Sequence, residues 1–203
     1  MQPDQVRQMF TRADGSYLFA RWGRPIVPVV FGVEDATLAT VKGAIEAVVT
    51  LAGHKMAETD PELGANLMIF FLRDWAELPQ VPGLEGLIPD LGPLCARLAA
   101  EDAHTYRAFR FDADGAIRAC FVFLRMAGPL AQMPAEDLAL AQAAQAICLW
   151  SDKAFADTSP LAVVQGRVIL RPEIAALIRA AYAPMMPAVA QDPSHALRLA
   201  ARM

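Results

Sequence analysis

The sequence predicts an α+β fold in which a mixed, twisted sheet carries a βαβ unit, an antiparallel edge hairpin and two long helices. Two short apolar runs, residues 26–31 and 66–72, flank a segment with helical periodicity. An Asp-Gly turn then separates two β-like runs, and an alanine-rich stretch over 134–155 is long enough for a second helix. We expect a polar lead-in over residues 1–20 and a single domain over 21–203, because 55% hydrophobic residues suffice for one core.

The βαβ unit begins with residues 26–31, a β-branched run that contains Pro28. Proline cannot donate a hydrogen bond to a neighbouring strand, so Pro28 favours an edge strand or an early position within it. Apolar residues then recur every three or four positions over 38–52, which predicts a helix that Gly53 ends. The apolar run 66–72 is typical of a strand covered on both faces, parallel to the first.

The hairpin is predicted from Tyr106–Phe111 and Ala116–Arg125, which flank the turn Asp112–Gly115. The first arm carries an arginine on each face, because Arg107, Phe109 and Phe111 oppose Tyr106, Ala108 and Arg110. The second arm is apolar on both faces over residues 121–124, so the first is predicted at the sheet edge. Arg107 and Arg110 of this arm are candidate binding residues, because a guanidinium recognises carboxylates and other anions. Arginines also protect an edge strand from pairing with other sheets, and this alternative stays open.

The second long helix is predicted over residues 134–155. On such a helix Cys148, Ser151, Asp152 and Phe155 would share one face, because they follow i, i+3, i+4 and i+7 spacing. This face is a candidate cleft. Alternatively, these residues form only the more solvent-exposed end of a helix that packs in the core.

Three regions complete the chain. Residues 79–93 contain repeated prolines and glycines, which predicts a loop before a short helix over 94–101. A third helix is predicted over 172–182, and prolines interrupt the tail before a short terminal helix.

The motifs of common enzyme mechanisms do not occur in the chain. There is no Gly-x-Ser-x-Gly nucleophile turn, no phosphate-binding glycine loop and no His-Glu-x-x-His zinc motif. His54 has Glu58, Asp60 and Glu62 close by in sequence, so a metal site could be built there as the alternative to a solvated acidic loop. We expect no cofactor and no resident metal, and the sequence leans against an enzyme.

Charge and hydropathy restrict the partners and the location. A net charge of −4 gives no attraction for nucleic acid, and the longest apolar stretches are far shorter than a membrane span. The N-terminus lacks the pattern of a signal peptide, which predicts a cytoplasmic protein. Cys95, Cys120 and Cys148 are expected as buried free thiols, with a Cys120–Cys148 disulfide as the alternative.

Short segments of the chain resemble a bacterial domain family of unknown function, found in lipoproteins and other exported alphaproteobacterial proteins. The segments are Arg21–Pro25, Ala65–Leu67, Asp114–Ala119, Ile147–Leu149 and Leu177–Pro184. The predicted order of elements is also similar to the N-terminal half of a metzincin-like zinc peptidase. The resemblance implies that architecture without its zinc site, because Trp150–Lys153 lacks the family's glutamate and residues 134–155 contain no histidine.

These observations lead to three hypotheses of function. The first is a non-catalytic protein that binds a peptide, protein or small ligand at the cleft, or along the edge strand at Arg107 and Arg110. The second is a hydrolase with a non-standard site around Ser151 and Asp152, assisted by a metal at His54. The third is a homo-oligomer, because residues 81–94 are apolar and punctuated by proline and glycine.

Overall fold

The computed structural model describes all residues from Met1 to Met203. The β-strands are β1 Phe19–Ala20, β2 Pro28–Phe31, β3 Leu67–Leu72, β4 Thr105–Phe111, β5 Ile117–Arg125, β6 Leu161–Val164, β7 Arg167–Leu170 and β8 Val189–Ala190. The α-helices are α1 Pro3–Gln8, α2 Asp35–Ala52, α3 Leu84–Leu87, α4 Leu91–Ala100, α5 Pro129–Gln132, α6 Ala135–Ala146, α7 Pro172–Ala181 and α8 Ser194–Ala200, and a 3-10 helix spans Trp75–Gln80.

The main sheet has four strands in the order β2-β3-β5-β4. β2 and β5 run parallel to β3 on either side of it, and β4 runs antiparallel to β5. Pro28 is the first residue of β2, which forms one edge of the sheet, and β4 forms the other edge. The predictions of an α+β fold, a βαβ unit and an antiparallel edge hairpin are therefore confirmed.

The two faces of the sheet are covered by separate apolar cores. Helices α2 and α6 pack on one face within a cluster of 34 buried residues that includes Val122. The 3-10 helix, α3 and α4 cover the other face within a cluster of 13 buried residues that includes Phe121. Leu84, Ile88 and Leu91 are buried in this second core, so much of the apolar surface that suggested a homo-oligomer is covered by the chain itself.

The first 20 residues, expected as a polar lead-in, contribute to the larger core. Val6 and Phe10 are fully buried, and the Phe10 ring stacks on Trp150 with 5.2 Å between ring centroids. Tyr17 and Phe19 are buried as well, and β1 pairs with β8 near the C-terminus. The packed core therefore begins well before Arg21.

The prediction that the second long helix continues to residue 155 is wrong, because α6 ends at Ala146. Its last carbonyl groups are hydrogen-bonded by side chains, which replace the bonds that further helical turns would supply. The donors are Trp150 Nε1 to Ala144 O at 2.9 Å, Trp22 Nε1 to Ala146 O at 2.9 Å and Tyr182 Oη to Ile147 O at 2.7 Å. Directly beyond the helix, Cys148 forms a β-bridge with Arg21, and residues 152–156 then form turns.

The hairpin of β6 and β7 was not predicted, although the sequence contains a signal for it. Apolar β-like residues lie on both sides of Gln165-Gly166, and both turn residues have positive φ, 50° and 75°. Such a pair of left-handed residues is typical of a two-residue hairpin turn.

All three cysteines are free and buried, as predicted, and no disulfide joins Cys120 to Cys148. None of the helices combines the length and the apolar character that crossing a membrane would need.

Candidate functional site

A cavity of about 600 Å³ lies between β4 and the segment that follows α6. We call it the β4 cleft. One wall comes from the sheet edge, the other from residues 149–156, and Arg12 and Leu18 of the N-terminal segment also line it. Four of the predicted site residues line this cleft together: Arg107, Ser151, Asp152 and Phe155.

The main chain of β4 is unpaired on the side away from β5. Arg125 N donates to His104 O at 2.9 Å, and Cys120 N donates to Asn66 O on the opposite side of β5. Because hydrogen-bonded pairs alternate along an antiparallel ladder, residues 106, 108 and 110 bond to β5. Thr105, Arg107 and Phe109 therefore direct their N–H and C=O groups outward.

The side chains of Arg107 and Arg110 point to opposite faces of the sheet. Arg107 pairs across the strands with Val122 of the larger core, whereas Arg110 pairs with Ala119 of the smaller core. The two arginines therefore do not form one binding surface, which agrees with the period-two alternation of a strand.

Arg110 covers part of the strand edge. Its Nη1 donates to Phe109 O at 3.0 Å, its Nη2 donates to Leu87 O at 2.7 Å, and the guanidinium lies 5.7 Å from the ring centre of Phe121. One outward carbonyl of β4 is thus occupied by the protein itself. This arrangement agrees with the edge-protecting role that the sequence left open for Arg110.

Arg107 lies in the β4 cleft with little compensation for its charge. Its Nη2 donates to Gln142 Oε1, and its buried Nε has no hydrogen-bond partner. It takes part in none of the chain's ion pairs. Burial lowers the pKa of Arg107 to about 10, so the group is still a cation at neutral pH.

On the facing wall, Cys148, Ser151, Asp152 and Phe155 do not share one face, because they do not lie on a helix. Cys148 is fully buried and does not line the cleft, and burial raises the pKa of its thiol. Ser151 is buried too: its N–H donates to Met9 O at 2.7 Å and its hydroxyl donates to Gln8 O at 3.1 Å. The prediction of one shared helix face is therefore wrong.

Asp152 and Phe155 lie at the opening of the cleft. The Asp152 side chain is 81% exposed, and its Oδ1 is 3.9 Å from Arg12 Nη1. The same Arg12 nitrogen donates to Trp150 O at 3.0 Å, and Phe155 packs edge-on against Trp150. The wall thus presents an aromatic ring, an exposed carboxylate and a guanidinium held by the main chain.

The loop around His54 does not form a metal site. His54 Nε2 lies 2.9 Å from Arg24 O, while the Asp60 carboxylate accepts hydrogen bonds from Arg24 and Asn66. No group of three or more His, Cys, Asp or Glu side chains anywhere in the chain could hold a metal ion. The predicted His54 alternative is therefore wrong.

Arg12 and Leu18 are cleft residues that sequence reasoning missed. They were assigned to a lead-in because residues 1–20 are polar overall. The signal that could have found Leu18 is the apolar run Tyr17–Ala20, in which Tyr17 and Phe19 are buried and Leu18 between them reaches the cleft. No local pattern marks Arg12.

No family model, curated protein or solved structure compared with the chain matches it. The function of the β4 cleft therefore has to be inferred from its geometry. That geometry combines an unpaired strand edge, a half-buried arginine whose Nε has no partner, and aromatic side chains on both walls.

Proposed function

We propose that this chain is a non-catalytic protein that binds a peptide segment, in extended conformation, along β4. The carrying observation is that the outward main chain at Thr105, Arg107 and Phe109 borders a cavity of about 600 Å³. An added strand would take up the free N–H and C=O groups, and every second side chain of the peptide would enter the cavity.

The order and packing of the elements support a metzincin-like architecture for this binding site. The chain runs from β2 through α2 to the parallel β3, then to the antiparallel edge strand β4 and to α6. Helices α2 and α6 pack together on one face of the sheet. In the architecture that the resemblance implies, the peptide would occupy the cleft where the peptidase binds substrate, and here the β4 cleft lies between the edge strand and the segment that follows α6.

The polar groups of the cleft favour binding over hydrolysis. The Ser151 hydroxyl donates to Gln8 O, and no histidine lines the cavity. Nucleophilic catalysis needs a hydroxyl or thiol next to a base, and a peptidase-like metal mechanism needs a ligand cluster. These groups do not come together around Ser151 or Asp152.

Replacing Thr105→Pro tests the proposal. The Thr105 N–H points outward and Thr105 is the first residue of β4, so proline removes a donor for the peptide without breaking the β4–β5 ladder. We expect peptide affinity to fall by about tenfold or more. The proline ring removes one main-chain hydrogen bond to the peptide and also blocks its approach. Affinity is measured by fluorescence polarisation on the best binders from an array of random, acetylated and amidated octapeptides.

Thr105→Val is the matched control, because it keeps the N–H and the β-branched shape. Its affinity should stay within about twofold of wild type, and both variants should unfold within a few degrees of it. Equal affinity of Thr105→Pro and Thr105→Val for the same peptides would contradict pairing along β4. An array without a single binder would contradict peptide binding altogether.

A further inference from the structure

Arg107 is a half-buried cation with a buried Nε, and the folded chain supplies no anion for it. The protein accepts a hydrogen bond from Nη2 through Gln142 Oε1, itself on a buried side chain, and leaves Nε unpartnered. Burying an uncompensated charge is costly, and structures normally pair such a group with a carboxylate. Here the group lines an open cavity instead.

The charges of the facing wall add to this imbalance. Arg12, whose side chain is 19% exposed, lines the same cleft, and Asp152 is the one carboxylate among the lining residues. Asp152 is 81% exposed and lies near Arg12, so its carboxylate is largely hydrated and does not compensate Arg107. The cleft is therefore net positive inside a chain whose net charge is −4.

We infer that the β4 cleft selects acidic peptides, by binding a ligand carboxylate against Arg107. This inference rests on the proposed peptide binding and names its ligand class. A guanidinium presents five donors that match a carboxylate, and charge-assisted hydrogen bonds are about twice as strong as neutral ones.

The register of an added strand extends the inference to a neighbouring position. Side chains two residues apart point to the same face of a strand, so the peptide residue two positions from the acidic one would lie beside Phe109. Phe155 borders the same cavity from the facing wall. The preferred ligand is thus an acidic residue with an apolar residue two positions away.

Three sets of acetylated, amidated octapeptides test this selectivity. They are mixed at all positions except a central one, which is glutamate, glutamine or lysine. We expect the full chain to bind the glutamate set about tenfold more tightly than the glutamine set, and the lysine set most weakly. A fourth set with central glutamine and a free C-terminal carboxylate shows whether the carboxylate comes from a side chain or from a chain end.

Variants of the two arginines locate the effect. Arg107→Gln should reduce the preference for glutamate to about twofold or less, and Arg107→Lys should keep part of it, because the charge remains without the planar fork. Arg110→Gln is the matched control, since Arg110 lies on the same strand but faces the opposite side of the sheet. Because this substitution frees the Phe109 carbonyl, it can change the overall affinity, but the ratio between the glutamate and glutamine sets should stay unchanged.

Each outcome separates the two proposals. Equal binding of the glutamate and glutamine sets by the wild-type chain would overturn the selection of carboxylates and leave strand addition intact. That comparison needs no variant, so it decides the question even if substitutions of Arg107 impair folding. A preference for glutamate that persists in Arg107→Gln would also overturn the inference, and absence of binding by any set would count against the proposed function itself.

Discussion

Asn66 is a fully buried polar side chain whose hydrogen bonds join a strand entry to a loop. Its Oδ1 accepts from Val27 N at 2.8 Å, and its Nδ2 donates to Pro25 O and to Asp60 Oδ2. Burial by itself would raise the pKa of Asp60, but hydrogen bonds from nearby main-chain N–H groups, Asn66 and Arg24 bring it down to about 2. The acidic loop is thus part of a structural network.

His195 makes stability depend on pH. It is fully buried, Tyr17 Oη lies 2.8 Å from its Nδ1, and burial, followed by the charge of Arg198, lowers its pKa from 6.5 to about 4. The unfolded chain therefore binds a proton that the folded chain does not, in the range between these values. We expect the free energy of unfolding to fall as the pH drops from 6.5 towards 4, measured by urea denaturation.

His195→Asn places a side-chain amide near the position of Nδ1, beside the Tyr17 hydroxyl, and cannot titrate. Its unfolding free energy should decrease less steeply over the same range. Burial also lowers the pKa of His54, but this group contributes equally to wild type and variant. The difference between their slopes of unfolding free energy against pH therefore reports His195. Parallel slopes would exclude His195 as a source of the pH dependence.

At the scale of elements, the end of α6 shapes one wall of the cleft. The hydroxyl of Tyr182 donates to Ile147 O at 2.7 Å and accepts from Trp22 N at 3.2 Å, so one side chain joins the helix end to the N-terminal segment. Because α6 stops at Ala146, the chain leaves the helix direction there, and residues 149–156 lie opposite β4. A helix continued to residue 155 would not leave this cavity.

Tyr182→Phe should therefore destabilise the protein by about 2 kcal/mol, because it leaves a buried N–H and a buried carbonyl without partners. Tyr106→Phe is the control, since the half-buried Tyr106 makes no hydrogen bond within the protein through its hydroxyl. Its cost should be below about 0.5 kcal/mol. Chemical denaturation of both variants measures the difference, and equal losses would refute the anchoring role of Tyr182.

At the scale of the whole molecule, the N-terminal and C-terminal segments pack against each other at the larger core. Helix α1 packs against α8, and β1 pairs with β8. Val6, Phe10 and Leu199 are all fully buried in the same cluster. The N-terminal segment, with Arg12 and Leu18 in the cleft wall, is therefore tied to the C-terminal helices.

The same packing predicts the accessibility of the thiols. Cys95, Cys120 and Cys148 are all buried, and burial raises the pKa of Cys120 to about 12, so little thiolate forms near neutral pH. We expect almost no reaction of the native protein with a thiol reagent such as dithionitrobenzoate. All three should react in denaturant without a reductant, whereas a single reactive thiol there would indicate a disulfide.

Much of the sheet could be predicted because its signals are local. Pro28 marks an edge strand, the periodicity over 38–52 marks α2, and the Asp112–Gly115 turn marks the hairpin. In each case the pattern of neighbouring residues decides the local conformation. The predicted edge position of β4 is confirmed for the same reason, since its alternation differs from the continuous apolar run of β5.

The sequence by itself determined the α+β class, the βαβ unit, the edge hairpin and the buried cysteines. Tertiary structure decided where α6 ends, because the hydrogen bonds from Trp22 and Tyr182 come from segments more than 30 residues away. It also decided that Arg107 borders a cleft, because residues 149–156 lie opposite β4, and that Arg12 and Leu18 complete the site. These outcomes depend on which segments meet in space, and a local pattern of residue types does not contain that information.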